Sequence, residues 1–282
     1  LLAIVEGIFF VGRAVAANQL GMHNLAVTLY KIGGGIIDDA AELTKFLALL
    51  AQSLGPKVLV HGGGKGASAM MRELGLTPTM VNGRRVTDAA TLDIVVMFYA
   101  GKTNKEVVAN LQRLGVNALG LSGADGNVIR GTKRPVKEVD FGYVGDLTAA
   151  SVNKELILSL LQAGITPVLC PIIHDGQGQL LNTNADTIAS AVAVALAPVA
   201  DVTLHYCFEK NGVLRDVNDD NSVIPEIDAA HYETLKAQGI IADGMLPKLE
   251  NAFAALNQGV RRVVIGHALN INSELRTVLC LK

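Results

Sequence analysis

Lys31 and Lys248 lie far apart in the chain, and each sits beside a glycine-containing turn: Lys31-Ile32-Gly33-Gly34-Gly35 and Asp243-Gly244-Met245-Leu246-Pro247-Lys248. A third turn, His61-Gly62-Gly63-Gly64, directly follows the apolar run Val58-Leu59-Val60. Glycine lets backbone N–H groups approach an oxyanion closely, and a helix opening after the turn presents its positive end to the same place. Lysine adds a compact point charge that suits a phosphoryl oxygen. A lone Gly-Gly-Gly after a strand is usually a tight connection. Two of them, each closing an aliphatic run, point instead to a phosphate seat and to phosphoryl transfer. Neither turn is a Walker loop or a dinucleotide Gly-x-Gly-x-x-Gly, so the chemistry is nucleotide-like on another scaffold.

Two polar clusters lie between these turns: Asn82-Gly83-Arg84-Arg85-Val86-Thr87 and Leu181-Asn182-Thr183-Asn184-Ala185-Asp186. An arginine fork binds both oxygens of a carboxylate, which gives the first cluster a natural anionic ligand. His61 ends a buried run before a glycine turn and reads as structural rather than as an acid or base.

The elements that must hold these residues alternate. Aliphatic runs at 25–32, 58–60, 118–122, 167–172, 201–206 and 262–266 are interleaved with helical patterns at 40–53, 66–74, 88–114, 150–163, 185–196, 229–238 and 245–258. This alternation predicts an α/β fold, a three-layer αβα sandwich with a mainly parallel open sheet. Residues 126–146, polar and rich in turn glycines, are expected to project as hairpins that form a lid or rim. At 282 residues, half of them hydrophobic, the chain has room for two lobes, with a seam expected near Ala197-Pro198.

A net charge of -2 lacks the electrostatic footprint of a nucleic-acid binder. Cys170, Cys207 and Cys280 form no paired motif, which argues against a disulfide framework or zinc site and for a reducing, cytoplasmic setting. The apolar opening is interrupted by Glu6 and has no basic region before it, so residues 1–21 read as an extension or leader ahead of Met22 rather than as an export signal. No other segment supplies the roughly 18 uninterrupted apolar residues of a membrane span.

Taken together, the three turns and two clusters resemble the amino acid kinase family, most closely its acylglutamate kinases. Ala100-Gly101-Lys102-Thr103-Asn104-Lys105, Leu121-Ser122-Gly123-Ala124-Asp125-Gly126-Asn127 and Gly142-Tyr143-Val144-Gly145-Asp146 add further matches in the family's order, so the resemblance runs from about Leu25 to His267. It implies a carbamate kinase-like fold and ATP-dependent phosphorylation of the γ-carboxylate of N-acetyl-L-glutamate, the second step of arginine biosynthesis. A carboxylate is already nucleophilic at neutral pH, so the problem is to bring two anions together while charge spreads over the transferring oxygens.

The resemblance assigns Lys31 and Lys248 to the transferring group and Asp186 to holding both lysines. It places Arg85 and Asn182 on the substrate, with N–H donors from Gly63 and Gly64, and gives the nucleotide side to Gly33, Gly34, Gly212, Leu214, Ile241 and Met245. The acylglutamate lobe would be residues 22–197 and the nucleotide lobe 198–282. Magnesium would arrive with ATP on phosphates and water, since no carboxylate cage is visible and no protein-held metal is expected. A homodimer without nucleic-acid or membrane partners is the expected assembly.

Two departures stand out. Where many relatives carry Thr/Ser-Asp-Val-x-Gly, this chain reads Cys207-Phe208-Glu209-Lys210-Asn211-Gly212-Val213-Leu214, and the family's Gly-Thr pair near the C-terminus is absent. Phosphorylation of N-succinylglutamate or another family substrate, and a non-catalytic sensor on the same fold, stay open as alternatives at this level.

Overall fold

The computed structural model describes residues 25–241 and 245–281. The expected leader and the turn residues Asp243 and Gly244 lie outside them.

One eight-stranded sheet organises the molecule. Its strands are β1 (Ala26–Ile32), β2 (Lys57–His61), β3 (Ala118–Leu121), β4 (Thr166–Leu169), β5 (Asp201–Phe208), β6 (Glu226–Ile227), β7 (Arg262–His267) and β8 (Thr277–Leu279), in the spatial order β6-β8-β7-β5-β1-β2-β4-β3. Every pairing is parallel except that of β7 with β8. The sheet therefore crosses the seam expected at Ala197-Pro198, because β1 pairs with β5 along its whole length.

Side-chain alternation splits the core into two layers. Val27 and Leu29 of β1, Val58 and Val60 of β2, and Leu204 and Tyr206 of β5 pack on one face, with the alanine- and valine-rich helix Ala185–Leu196. Tyr30 and Ile32, Leu59, and Cys207 pack on the other, with Phe46, Leu47 and Leu50 of helix Ala40–Gln52 and Val107 and Leu111 of helix Asn104–Arg113. This is the three-layer α/β sandwich that the alternating pattern predicts.

Local differences have physical causes. The run expected at 167–172 is divided: β4 ends at Leu169, and after Cys170-Pro171 a hairpin of Ile172–His174 with Leu180–Asn182 turns over the sheet edge. Pro171 has no N–H to donate, so it adds no ladder bond after Cys170 and the chain leaves the sheet for the hairpin. The helix expected from 150 begins at Lys154, since Thr148 caps a short 3₁₀ turn first and Asn153 caps the α-helix. The helical stretch expected at 88–114 is one column from Ala89 to Arg113, with a wide π turn over Val96–Thr103 in its middle. In the region expected as a rim, Thr132–Lys133 pairs with Gly145–Asp146.

Candidate active site

β1 and β2 end in register, with Ile32 opposite His61, so their glycine turns lie side by side at the carboxyl edge of the sheet. A β-carbon on Gly62 would stand 3.7 Å from the amide nitrogen of Gly34. From this central strand the chain builds outward on both sides, to β2 and to β5, and a crevice at such a switch point is where open α/β sheets bind ligands. Two helices start here: α1 (Gly34–Ile37), and α2 (Gly64–Glu73), entered through Gly63 at φ 141°, a value closed to residues with a β-carbon.

Strand parity places the charged groups. Lys31 lies on the same side of β1 as Val27 and Leu29, facing helix α3 (Ala185–Leu196). Asn184 caps that helix through the amide of Asp186, leaving the Asp186 carboxylate in the first turn free to meet Lys31 at 2.7 Å. Lys31 is only 9% exposed at its side chain, so the pair is shielded from solvent competition in a way surface pairs are not.

Phe208, which ends β5 on the same face, carries both lysines: the Lys248 ammonium is 4.1 Å from its ring centre and that of Lys31 is 5.9 Å away. Phe208 itself stacks on Tyr206, at 6.2 Å and 12° between planes. Burial pulls the Lys248 amine below the ordinary lysine value, Asp186 opposes that, and Lys31 adds to it as a like charge. The carboxylate of Glu209 lies against Gly35, where any β-carbon would collide with it. Neither Phe208 nor Glu209 stood out in the sequence as a functional residue; the apolar/aromatic pattern Tyr206-x-Phe208 at the end of a strand was the available signal.

On the other side of the glycine turns, Arg85 is buried and donates from Nη2 to the carbonyl of Gly64 at 2.8 Å and the hydroxyl of Ser68 at 2.7 Å. It therefore braces the first turn of α2 from within the cavity wall. Asn182 is buried beside it, donating to the Thr87 hydroxyl at 3.0 Å, and its own amide holds the carbonyl of Tyr143. Tyr99 enters the same wall from the wide π turn, an irregularity common at functional positions, and only periodicity broken at that turn could have flagged it.

The cavity so formed has a volume of about 330 Å³ and is lined by Lys31, Gly33, Gly34, Gly63, Gly64, Arg85, Asn182 and Asp186 among others. Its charged lining is Lys31, Arg84, Arg85 and Arg134 against Asp186, four cations to one carboxylate, in a chain whose net charge is -2. An anionic ligand suits it. A wider groove of about 680 Å³ on the outer surface is lined by charges of both signs, Asp38, Lys65, Lys102 and Glu106, and holds none of the residues above.

Four predicted nucleotide-side residues stand away from this cavity. Gly212 packs against Thr277 and Val223, with Leu214 bridged to Val223 beyond it. Ile241 is buried in the core and Met245 packs at its margin.

The chain belongs to the amino acid kinase family: the model of that family, described as Amino acid kinase family, matches residues 26–267. Acetylglutamate kinases are among the relatives that share most of its length. That of Bacteroides thetaiotaomicron is 56% identical over 239 residues, covering 85% of this chain and 92% of the relative. That of Methanopyrus kandleri is 42% identical, covering 83% and 92%. Among solved structures, smu.665 from Streptococcus mutans superposes with a TM-score of 0.72 at 28% identity, over 90% of this chain and 98% of the other. Carbamate kinase from Giardia lamblia bound to AMP-PNP shares the fold, with a TM-score of 0.65 at 14% identity over 92% and 99%. Among the described residues no helix is long and apolar enough to cross a membrane.

Proposed function

We propose that this chain transfers the γ-phosphoryl group of ATP to the γ-carboxylate of N-acetyl-L-glutamate, producing an acyl phosphate and ADP. The observation that carries the reading is the Lys31–Asp186 pair beside Lys248, at the mouth of two adjoining glycine turns. The name shared by relatives above 50% identity supplies the substrate.

In this reading Arg85 and Asn182 receive the acylglutamate, and the N–H groups of Gly63 and Gly64 meet its reacting carboxylate. Gly33 and Gly34 offer their N–H groups to the nucleotide phosphates. Lys31 and Lys248 neutralise the charge that grows on the transferring oxygens, and Asp186 keeps two like charges close together. No general base is needed. Residues 22–197 form the acylglutamate lobe and residues 198–282 the nucleotide lobe, with Gly212, Leu214, Ile241 and Met245 shaping the nucleotide side.

Among the described residues no group of three or more His, Cys, Asp or Glu is placed to hold a metal ion, and Asp186 is engaged by Lys31. We propose that magnesium arrives on the nucleotide and keeps phosphate and water as its ligands, lending charge neutralisation to the phosphates. We propose a cytoplasmic homodimer, which light scattering of the purified protein would check.

The test is ADP release that depends on N-acetyl-L-glutamate, with the acyl phosphate trapped by hydroxylamine. Equal amounts of ADP and hydroxamate are expected. Nucleotide binding without turnover would favour a sensor and overturn the proposal.

A further inference from the structure

His61 lies behind the site. By parity it points to the face opposite Lys31, with Leu59, toward the helix Asn104–Arg113. It is wholly buried, and each of its ring nitrogens has one partner: Nδ1 is 2.8 Å from the carbonyl oxygen of Gly62, and Nε2 is 3.1 Å from Nδ2 of Asn104.

The surrounding bonds fix the proton. Asn104 Nδ2 donates to the carbonyl of Val168 at 2.9 Å, and its Oδ1 accepts from Lys105 Nζ at 3.2 Å. Lys105 is anchored in turn on the carbonyl of Gly120, 3.0 Å away. Both outer partners demand this orientation of the amide, so Asn104 presents an N–H to His61. Nε2 must then be the acceptor, and Nδ1 carries the hydrogen that it donates to Gly62. Burial favours the same neutral ring.

A trans peptide points its N–H opposite to its C=O. With the Gly62 carbonyl held on the His61 side, the N–H of Gly63 is turned toward the cavity. The Gly62 amide itself is engaged by the carbonyl of Ile32 at 3.0 Å, so the turn offers its first free donor at Gly63. Two successive glycines, with Gly63 at φ 141°, would otherwise let this peptide rotate at little steric cost.

We infer that His61 is a positioning residue: through its Nδ1–H bond to Gly62, ordered by Asn104 and Lys105, it aims the Gly63 N–H at the oxyanion of the reacting group. The inference rests on the kinase reading for which oxyanion is meant, and on this chain's hydrogen bonds for the rest. It also gives a purpose to the segment Gly101-Lys102-Thr103-Asn104-Lys105, which otherwise takes no part in the site.

Asparagine and glutamine separate this role from simple core packing. The amide nitrogen of asparagine reaches the position of Nδ1 and can still donate to Gly62, whereas glutamine reaches the position of Nε2 and cannot. His61→Asn should keep kcat within a few-fold of the wild type, while His61→Gln and His61→Leu lose roughly ten- to hundredfold in kcat with a smaller change in substrate KM. Folding is monitored by thermal melting of each variant. Glutamine outperforming asparagine, or losses in kcat that follow melting temperature alone, would overturn the role. Nitrogen-15 shifts of the imidazoles, assigned by difference against His61→Asn, provide the second measurement. A protonated Nδ1 and unprotonated Nε2 on His61 are expected, and the reverse tautomer would refute the inference even if the protein proved not to be a kinase. Turnover by the wild type reports on the kinase reading separately.

Discussion

Lys31 Nζ and Asp186 Oδ1 stand 2.7 Å apart, joining the end of the central strand to the first turn of the helix that packs on it. The helix terminus and the ammonium both attract the Asp186 carboxylate. The pair therefore has a reason to persist before any substrate enters, and it holds Lys31 in the position where the two glycine turns meet.

Removing the carboxylate should release that arrangement. For Asp186→Ala we predict a roughly 100-fold fall in kcat with less change in the KM for N-acetylglutamate, read from steady-state kinetics. An unchanged kcat would separate Asp186 from the chemistry.

Phe208 is the platform shared by the two lysines, and a cation on an aromatic face contributes about 0.5–2 kcal/mol. Phe208→Leu keeps much of the apolar bulk and removes the π face. It should lower kcat by roughly 3- to 30-fold, with little change in the affinity for N-acetylglutamate. Wild-type turnover in this variant would show that the ring only fills space.

Arg85 offers a different signature. Its Nη2 already bridges Gly64 and Ser68, and a lysine cannot reproduce that bridge together with a carboxylate fork. Arg85→Lys should chiefly raise the KM for N-acetylglutamate and leave ATP affinity, measured by calorimetry, near the wild-type value. Lost ATP binding with intact acylglutamate binding would reverse the assignment.

Burial lowers the imidazoles of His61 and His205 to about 4 from the ordinary 6.5. Between those values the unfolded chain takes up protons that the folded chain refuses. Stability is complete above pH 6.5 and is lost as the pH falls toward 4, by on the order of 3 kcal/mol for each histidine. Urea midpoints should drop on going from pH 7 to pH 4.5, and less steeply in His205→Leu. Equal slopes in the two proteins would exclude His205 from the effect.

Much of the site was legible in the sequence because backbone geometry demands its residues. Gly63 must be glycine at its positive φ, and the strand-turn-helix order around Lys31 and Gly62 follows from the hydrophobic pattern. The pairing of Lys31 with Asp186, implied by resemblance to the family, appears in the fold as a consequence of strand parity and an Asn184 cap. Phe208 and Tyr99 were not legible. Their places depend on which face the end of β5 shows and on one wide turn within a long helix, and the Tyr206-x-Phe208 alternation and the broken helical period are too weak to assign either a role in the site. Gly212 was assigned to the nucleotide side by resemblance alone; the close approach of Thr277 and Val223 that leaves no room for a β-carbon there was not legible, because Thr277 lies far along the chain.

The central claim is that Lys31 and Lys248 act on the phosphoryl group as it transfers. Rapid-quench single-turnover measurements of acyl phosphate formation, at saturating ATP and N-acetyl-L-glutamate, test it most directly in the wild type, Lys31→Ala and Lys248→Ala. The account predicts a chemical step slowed by roughly 100-fold or more in both variants, with both substrates still bound. A variant that forms acyl phosphate at the wild-type rate would contradict it.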